Sequence, residues 1–370
     1  MPTELRIYLN NEAADEELLG RFRRVRVDLA MGIAAEAELQ LEIGADDNGQ
    51  WESIEDDFTQ AFSRVRVEVR PPNGDAFIAL IDGPIIGQRF ELDASPNQSQ
   101  LVLIVHDDSV LMNRSEEVVL YEELTASDIA SQLFSEYGLT PEVDSVPAAG
   151  ASLERYVVQR GTAAQLLKEL AKRHGVCFYV KPGGEPGTSV GVFKAVDLNP
   201  TDYPELLLMG ADRNINKFSA EYDALRSMTA RAATINLADK SVVESETTVT
   251  AVSALGDTPV HDIAEPGSSF LSLSREDSGD LDAGVNAVTD FSSWAYRAEA
   301  EVAADMYPAV LRPYSVISVA GPGGYLGGLY LISRVVHTLT DDGYQQHITL
   351  RRNARSAGSS GGGLLPGGVF

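Results

Sequence analysis

Apolar and polar residues alternate with a period of two along much of this chain, which is the pattern of half-buried strands. Leu5, Ile7 and Leu9 mark a short strand over residues 3–9. Val25, Val27 and Leu29 mark another over 22–31, and Ala37, Leu39, Leu41 and Ile43 a third over 36–43. Residues 65–69 alternate again, with Arg64, Arg66, Glu68 and Arg70 on the opposite face. Further strands are expected at 77–81 and 84–92 around Asp82-Gly83, and at 101–106. Asp46-Asp47-Asn48-Gly49 and Pro71-Pro72-Asn73-Gly74 are turn sequences. Short strands at this spacing predict a compact β-barrel or sandwich over residues 1–106.

The period then changes to that of a helix, twice. Residues 125–139 and 162–176 form an internal repeat with an offset of 37. Thr125 and Thr162 are placed to N-cap, accepting from orphan backbone N–H groups. Ile129 with Leu133, and Leu166 with Leu170, stand i, i+4 on one apolar face. Gly138 and Gly175 suit the left-handed position that ends a helix. A strand pattern follows each copy, at 140–143 and 176–180. The reading is a duplicated helix–strand unit in an α+β domain over 107–212; two copies are too few for a solenoid.

Strand patterns return at 215–218 and 224–236. Segment 244–306 is acidic and rich in Ser, Thr and Gly, with a helix expected over 290–306 from its alanine-rich face. Residues 308–353 carry three β-type runs, at 315–320, 329–338 and 344–351. Gly321-Pro322-Gly323-Gly324, Gly327-Gly328 and Asp341-Asp342-Gly343 separate them. Asp-Gly between apolar alternations is a hairpin signal, because glycine supplies the positive φ that such turns need. Residues 356–370 read as a flexible Gly-rich tail with an apolar tip, either a disordered tail or an arm that docks on a neighbouring protein.

The order of these last strands and turns, closed by Arg352-Asn353, resembles the C-terminal barrel of the phage late control D family. These are hub proteins of contractile tails, and similar domains form the hub half of VgrG-like spike proteins in type VI secretion and related contractile injection systems. Thr125-Ala126-Ser127-Asp128-Ile129-Ala130 with Tyr137-Gly138-Leu139 is similar to a helix of that family. Asp107 to Arg114 is similar to the segment before it, and His174-Gly175 to the pair closing the second helix. The resemblance runs over residues 20–353 in the family's order.

It implies an α+β, mainly β fold: two tube-like β-barrel domains, an α+β domain between them, and an insertion in the second barrel. The domains would be 1–106, then 107–212, then 213–243 plus 307–355 around an acidic insertion at 244–306, then the tail at 356–370. It implies a structural baseplate hub of a contractile phage tail or phage-like injection system. That hub is a homotrimer whose two similar barrels present pseudo-six-fold symmetry, joining a hexameric inner tube to a trimeric spike and meeting other baseplate proteins. A spike needs a long β-helical segment and none follows residue 353, so the spike is expected to be a separate polypeptide. Assembly in the bacterial cytoplasm, then residence in a virion tail or injection-system particle, completes the expectation.

Composition narrows the alternatives. Of 370 residues, 44% are hydrophobic and 23% charged, which suits a globular chain of two to four domains. The net charge of −26 argues against nucleic-acid binding, which needs clustered Lys and Arg. From Glu244 to Asp305 there are thirteen acidic and two basic residues, which read as a solvated face or as a patch for a basic partner. No run of 18 apolar residues is present, so membrane insertion by this chain itself is not expected. Residues 1–11 lack the basic and apolar regions of a secretory signal. The single cysteine, Cys177, excludes an internal disulfide and reads as a buried small hydrophobe.

Candidate chemistry is sparse. His106, His174, His261, His337 and His347 show no metal-ligand spacing. His337 and His347 flank the Asp-Gly turn and could face each other, though half-exposed strand histidines are the simpler reading. Gly321-Pro322-Gly323-Gly324 lacks the Lys-Ser/Thr of a phosphate loop, and no Gly-x-Ser-x-Gly elbow occurs. The sequence therefore nominates no catalytic, cofactor-binding or metal-ligating residue, and no enzyme is expected. A tail-tip cell-wall hydrolase is the alternative, but abundant carboxylates cannot single out an acid pair. A carbohydrate-binding module would show exposed aromatics, yet only Trp51 and Trp294 are tryptophan.

Overall fold

A computed structural model describes residues 3–45, 49, 51–72, 74–95, 98–146, 156–235, 240–271, 278–303 and 307–357. The chain is α+β and mainly β. Its largest feature is one sheet that joins the N-terminal and C-terminal strand sets. Eight strands follow one another in it: Ile215–Tyr222, Tyr296–Ala303, Gly343–Arg352, Gly328–Thr340, Phe22–Ala30, Glu36–Glu42, Gln100–His106 and Ile78–Glu91. Every neighbouring pair in this series is antiparallel. The path continues through Arg64–Arg70 and Glu4–Leu9 to Glu12–Ala13.

The joint between the two strand sets is Gly328–Thr340 on Phe22–Ala30, in register from Arg334 opposite Ala30 to Thr340 opposite Arg24. The expectation of two tube-like barrels is met more coarsely. The strand sets share a sheet, and its two ends are not paired with each other among the described residues. Sharing removes two open edges, whose unpaired N–H and C=O groups would otherwise face water or another chain.

Local sequence explains most of these strands. In Glu36–Glu42 burial alternates strictly, with Ala37, Leu39 and Leu41 inward and the acids and Gln40 outward. The pattern fails around Asp82-Gly83. Two strands were expected there, and one 14-residue strand, Ile78–Glu91, runs through. Its first half pairs with Arg64–Arg70 and its second half with Gln100–His106. A Cβ on Gly83 would lie 1.9 Å from the His106 carbonyl oxygen. The glycine serves close backbone approach where the strand changes partners, and no turn forms.

The two repeat helices, Ala126–Glu136 and Ala163–His174, both carry complete capping boxes. Thr125 bonds with Asp128, and Thr162 with Gln165. Gly138 and Gly175 take positive φ after them. A strand precedes each helix, and these two, Glu117–Glu122 and Tyr156–Gly161, pair antiparallel. The strands that follow, Thr140–Val143 and Cys177–Pro182, flank Ser189–Lys194 on its two sides. The duplicated unit is thus strand–helix–strand around one core of Ile129, Leu133, Phe134, Leu167, Leu170 and Phe193.

The helix expected over 290–306 is a correction. The helix is Ser278–Ser292, and Tyr296–Ala303 is a strand of the main sheet. Alanine and glutamate favour helices by propensity, but Arg297, Glu299 and Glu301 alternate with buried Ala298, Ala300 and Val302. Pairing on both sides, to Gly343–Arg352 and Ile215–Tyr222, overrides propensity. Segment 213–243 likewise divides. Ile215–Tyr222 joins the main sheet, whereas Met228–Ile235 pairs with Val242–Thr247 and Gly267–Leu271 in a separate small sheet. Ala230, Ala232, Leu281 and Val285 pack that sheet on the Ser278–Ser292 helix. From residue 358 onward the expected tail lies outside the described residues.

Candidate assembly surface

The shared sheet has two unlike faces. Row by row, its register places Val302, Gln346, His337, Val27, Ala37 and Val105 opposite one another across six strands. All six are fully buried. The adjacent row on the other face is Glu301, His347, Val336, Asp28, Glu36 and His106. That face is polar and laced with ion pairs. Arg334 holds Asp28 through Nε and Nη2, crossing the joint, with Nε to Oδ1 at 2.8 Å. Arg26 reaches Asp28 at 2.7 Å, His106 lies 3.1 Å from Glu36, and Arg297 lies 2.8 Å from Glu299. Burial pushes the Asp28 carboxyl up, but Arg334 and Arg26 outweigh it and hold the group below its ordinary value. A broad charged face with most side chains half-exposed suits a wetted surface or a polar interface, since a dry apolar contact would strand these charges.

Two polar groups lie on the core face, and one of them, Gln346, pins a loop behind it. Gln346 accepts from the Leu311 N–H at 2.8 Å and donates to the Ala309 carbonyl at 3.0 Å. His337 bonds through Nδ1 to the Tyr344 hydroxyl at 2.7 Å, and its Nε2 has no partner. His337 and His347 therefore do not face each other. The register sets His337 opposite Gln346 and His347 opposite Val336, on opposite faces. Nor are they half-exposed, since one is buried and the other exposed.

Burial, with Arg312 nearby, lowers the His337 pKa to about 3. An unfolded histidine titrates near 6.5, so the folded state resists a proton that the unfolded state takes up. Stability from this group is complete above pH 6.5 and is lost as the pH falls from there towards 3. The expected result is a loss approaching ~1.4 kcal/mol per pH unit in that window. Denaturant titrations of His337→Phe should show a flatter acid limb than the parent. Parallel limbs would show that His337 is not buried in solution.

Two arginine clusters hold the remaining parts against the sheet. In the first, Arg64 bonds Asp82 at 2.7 Å, Asp108 at 3.0 and 2.7 Å, and the Ser189 hydroxyl at 3.1 Å. Arg66 bonds Glu68 at 2.8 Å, Asp82 at 3.1 Å, and the carbonyls of Gly183, Gly184 and Glu185 at 2.9, 3.3 and 3.2 Å. Asp82 also accepts from the Gly187 N–H at 3.0 Å. The network thus clamps the 183–189 loop of the α+β part onto the first strand set. The sequence pattern put Arg66 and Glu68 on an outer face. They are instead buried, because a second layer covers that face.

The 107–114 segment belongs to the same junction. Asp107 accepts from the N–H groups of Ser109, at 2.8 Å, and Ala35, at 2.5 Å. Asn113 accepts from the Thr162 hydroxyl at 2.7 Å, and Arg114 lies over the Phe62 ring.

In the second cluster Arg352, 1% exposed, donates to carbonyls of Leu255, Tyr325 and Gly327 at 3.0, 3.3 and 3.0 Å, and to the Ser356 hydroxyl at 2.6 Å. Asn353 accepts from the Leu255 N–H at 2.8 Å and donates to the Ser253 carbonyl at 2.9 Å. The Arg-Asn pair that closes the sequence motif is thus the fastener of the 253–260 segment.

The other residues singled out in the sequence are scattered. Cys177 is half-buried with its thiol pushed up to about 11 by burial. His261 sits 3.3 Å from the Met228 carbonyl. Asp290, in the acidic segment, caps a turn by accepting from Thr250, Ala251 and Val252. Trp51 and Trp294 pack against separate apolar clusters. Among the described residues no group of three or more His, Cys, Asp or Glu is placed to hold a metal ion, and no helix is long and apolar enough to cross a membrane.

Comparison with solved structures gives a consistent fold likeness. The 43 kDa tail protein of prophage MuSo2 from Shewanella oneidensis superposes with a TM-score of 0.69 at 12% identity, over 95% of this chain and 98% of that one. A tail protein from Neisseria meningitidis gives 0.63 at 14% identity, over 95% and 97%. The E. coli c3393 protein, described as a component of the type VI secretion system, gives 0.57 at 11% identity, over 96% and 80%. At these identities the likeness is one of fold. A comparison with curated protein sequences gives no match. The family model described as the Alg8 N-terminal domain matches residues 74–341, and by that match the chain belongs to the Alg8 N-terminal domain family.

Proposed function

We propose that this protein is a structural baseplate hub of the late control D type, in a phage tail or a phage-like contractile injection system. In this reading it is a homotrimeric adaptor, with a hexameric inner tube protein on one side and a separate trimeric spike on the other. It acts without catalysis. The observation that carries the reading is the pairing of Gly328–Thr340 with Phe22–Ala30, which makes two strand sets into one polar-faced wall. Two similar units per protomer, taken three times, supply six near-equivalent positions around an axis, which is what matching a hexamer to a trimer requires. The fold likeness to prophage tail proteins over nearly their full length supports it. The two units are barrel-like halves of the shared sheet, with the α+β part outside, clamped by Arg64 and Arg66. The protein would assemble in the bacterial cytoplasm and remain in the tail or injection particle.

Light scattering on the purified chain, alone and mixed with the neighbouring spike and tube proteins, tests this. A trimer, or a monomer that forms a three-to-three complex with the spike, is the expected result. A monomer indifferent to both partners would overturn the reading.

A further inference from the structure

One part of the polar face breaks its mixing of opposite charges. Arg297 and Arg351 are direct cross-strand partners there, on the same face as Glu299 and Glu301. Like charges set opposite each other repel. The row runs on from Arg351 to Leu331 and Val316, which are buried in an apolar cluster with Leu255. Arg351 therefore stands at the margin of that cluster, half-buried. Arg226, in the turn that follows Ile215–Tyr222, adds a third guanidinium, its carbon 5.3 Å from the centroid of the Phe291 ring. The Arg226 Nε is buried and has no hydrogen-bond partner. Arg226 and Arg351 form no ion pair among the described residues. Arg297 has Glu299 at 2.8 Å, while Glu221, opposite it in register, is exposed and makes no ion pair. Burial, with Arg226 and Arg297 nearby, holds the Arg351 guanidinium below its ordinary value.

We propose that Arg226, Arg297 and Arg351, with the ring of Phe291, are a docking site for a partner protein that presents carboxylates around an apolar side chain. Charge complementarity favours this occupant. Taking a guanidinium partly out of water is unfavourable unless an anion answers it, and its planar fork matches a carboxylate bidentately. Two of the three guanidiniums have no anion of their own, in a chain with 55 acidic residues to supply one. Apolar surface lies beside the charge: Phe291 is 63% exposed, and Leu225, next to Arg226, 85%. Arginine beside an exposed aromatic ring is the composition of protein–protein contacts. A long polyanion such as nucleic acid would reach this patch and then meet the repulsion of a chain of net charge −26. A short acidic segment need touch the patch alone. Such a contact goes beyond the hub reading and does not depend on how many copies assemble.

The probe is a fluorescein-labelled peptide with two glutamates on each side of a phenylalanine, titrated by anisotropy at low salt. The parent chain is expected to bind it. Arg351→Met and Arg226→Met should each weaken binding about tenfold, the scale of one lost hydrogen bond to a charged group. Phe291→Ser should weaken it too, with the salt dependence unchanged, because no charge is lost. Arg24→Met removes an exposed arginine elsewhere on the same face and should bind as the parent does. Removing a crowded, unpaired cation should leave the thermal midpoint of Arg351→Met at or above the parent's, which separates a lost contact from a folding defect. The mass of the protein in solution should be the same in parent and variants.

No binding by the parent, undiminished binding by the patch variants, or an equal loss in Arg24→Met would overturn the site. A single-stranded oligonucleotide held by the same arginines more tightly than the peptide would make this a phosphate site and overturn the protein partner. Self-association that both the peptide and Arg351→Met abolish would make a second copy the occupant and overturn a distinct partner.

Discussion

Arg66→Ala is expected to destabilise the protein by about 3–5 kcal/mol, the usual cost of removing one partner from a buried ion pair. Arg66 is 4% exposed and Asp82 1%. The guanidinium serves two carboxylates and three backbone carbonyls at once. Its removal leaves Glu68 without its closest cation, Asp82 with Arg64 alone, and the 183–185 carbonyls without donors. The penalty comes mainly from these stranded groups. Urea unfolding followed by tryptophan fluorescence should give the loss. Limited proteolysis should find new cleavage within 183–187, because that loop is held by this network. Arg66→Met with Glu68→Leu should recover only the share owed to Glu68, since apolar replacement of a buried pair is often nearly neutral but Asp82 and the 183–185 carbonyls stay without this donor. A loss below ~1 kcal/mol for Arg66→Ala, the scale of a surface pair, would show that the network is solvated.

The second large effect is expected at Arg352. Its guanidinium sits among carbonyls and a hydroxyl with its carbon 5.1 Å from the Tyr330 ring centroid. Cβ atoms on Gly256 and Gly328 would come within 2.7 and 2.9 Å of its Nη2, so both glycines make room for it. Arg352→Leu leaves the carbonyls of 255 and 325 unpartnered, at about 1–3 kcal/mol each where they stay dry, and that of 327 with the Ser356 hydroxyl alone. A loss of about 3 kcal/mol or more is expected, concentrated locally. Hydrogen exchange at the Leu255 and Val260 amides, both bonded to Asn353, should accelerate while the sheet amides keep their protection. Arg352→Lys should recover less than half, because one ammonium cannot span three diverging carbonyls. Unchanged exchange at 255 and 260 in Arg352→Leu would mean that Asn353 alone fastens the segment.

What could be read from the sequence depended on whether a strand had a wet face. Glu36–Glu42 alternates because one side meets solvent, and its bounds were expected within a residue. Arg64–Arg70 is buried on both sides, so its charges pointed to an outer face that the 183–189 loop covers. Gly83 carried a turn signature while serving close backbone approach. Tyr296–Ala303 has the composition of a helix and the period of a strand; the period was the better guide. The capping residues Thr125 and Thr162 were legible because a cap is local. The joint between Phe22–Ala30 and Gly328–Thr340 was not, because no local pattern selects a partner at that separation. Arg352-Asn353 was visible as a motif, but its role depends on carbonyls nearly a hundred residues away.

That separation also sets a clock. Asp28 and Arg334, bonded across the joint, lie 306 residues apart. At roughly 5–20 residues per second, a ribosome needs about 15–60 s to deliver the second strand after the first. For that interval the outer edge of Phe22–Ala30 has no partner of its own, and the N-terminal strand set is an unfinished, adhesive intermediate. The wall exists only once the C-terminal strand set has been made, so the chain withholds its finished surface from other subunits until both strand sets have emerged.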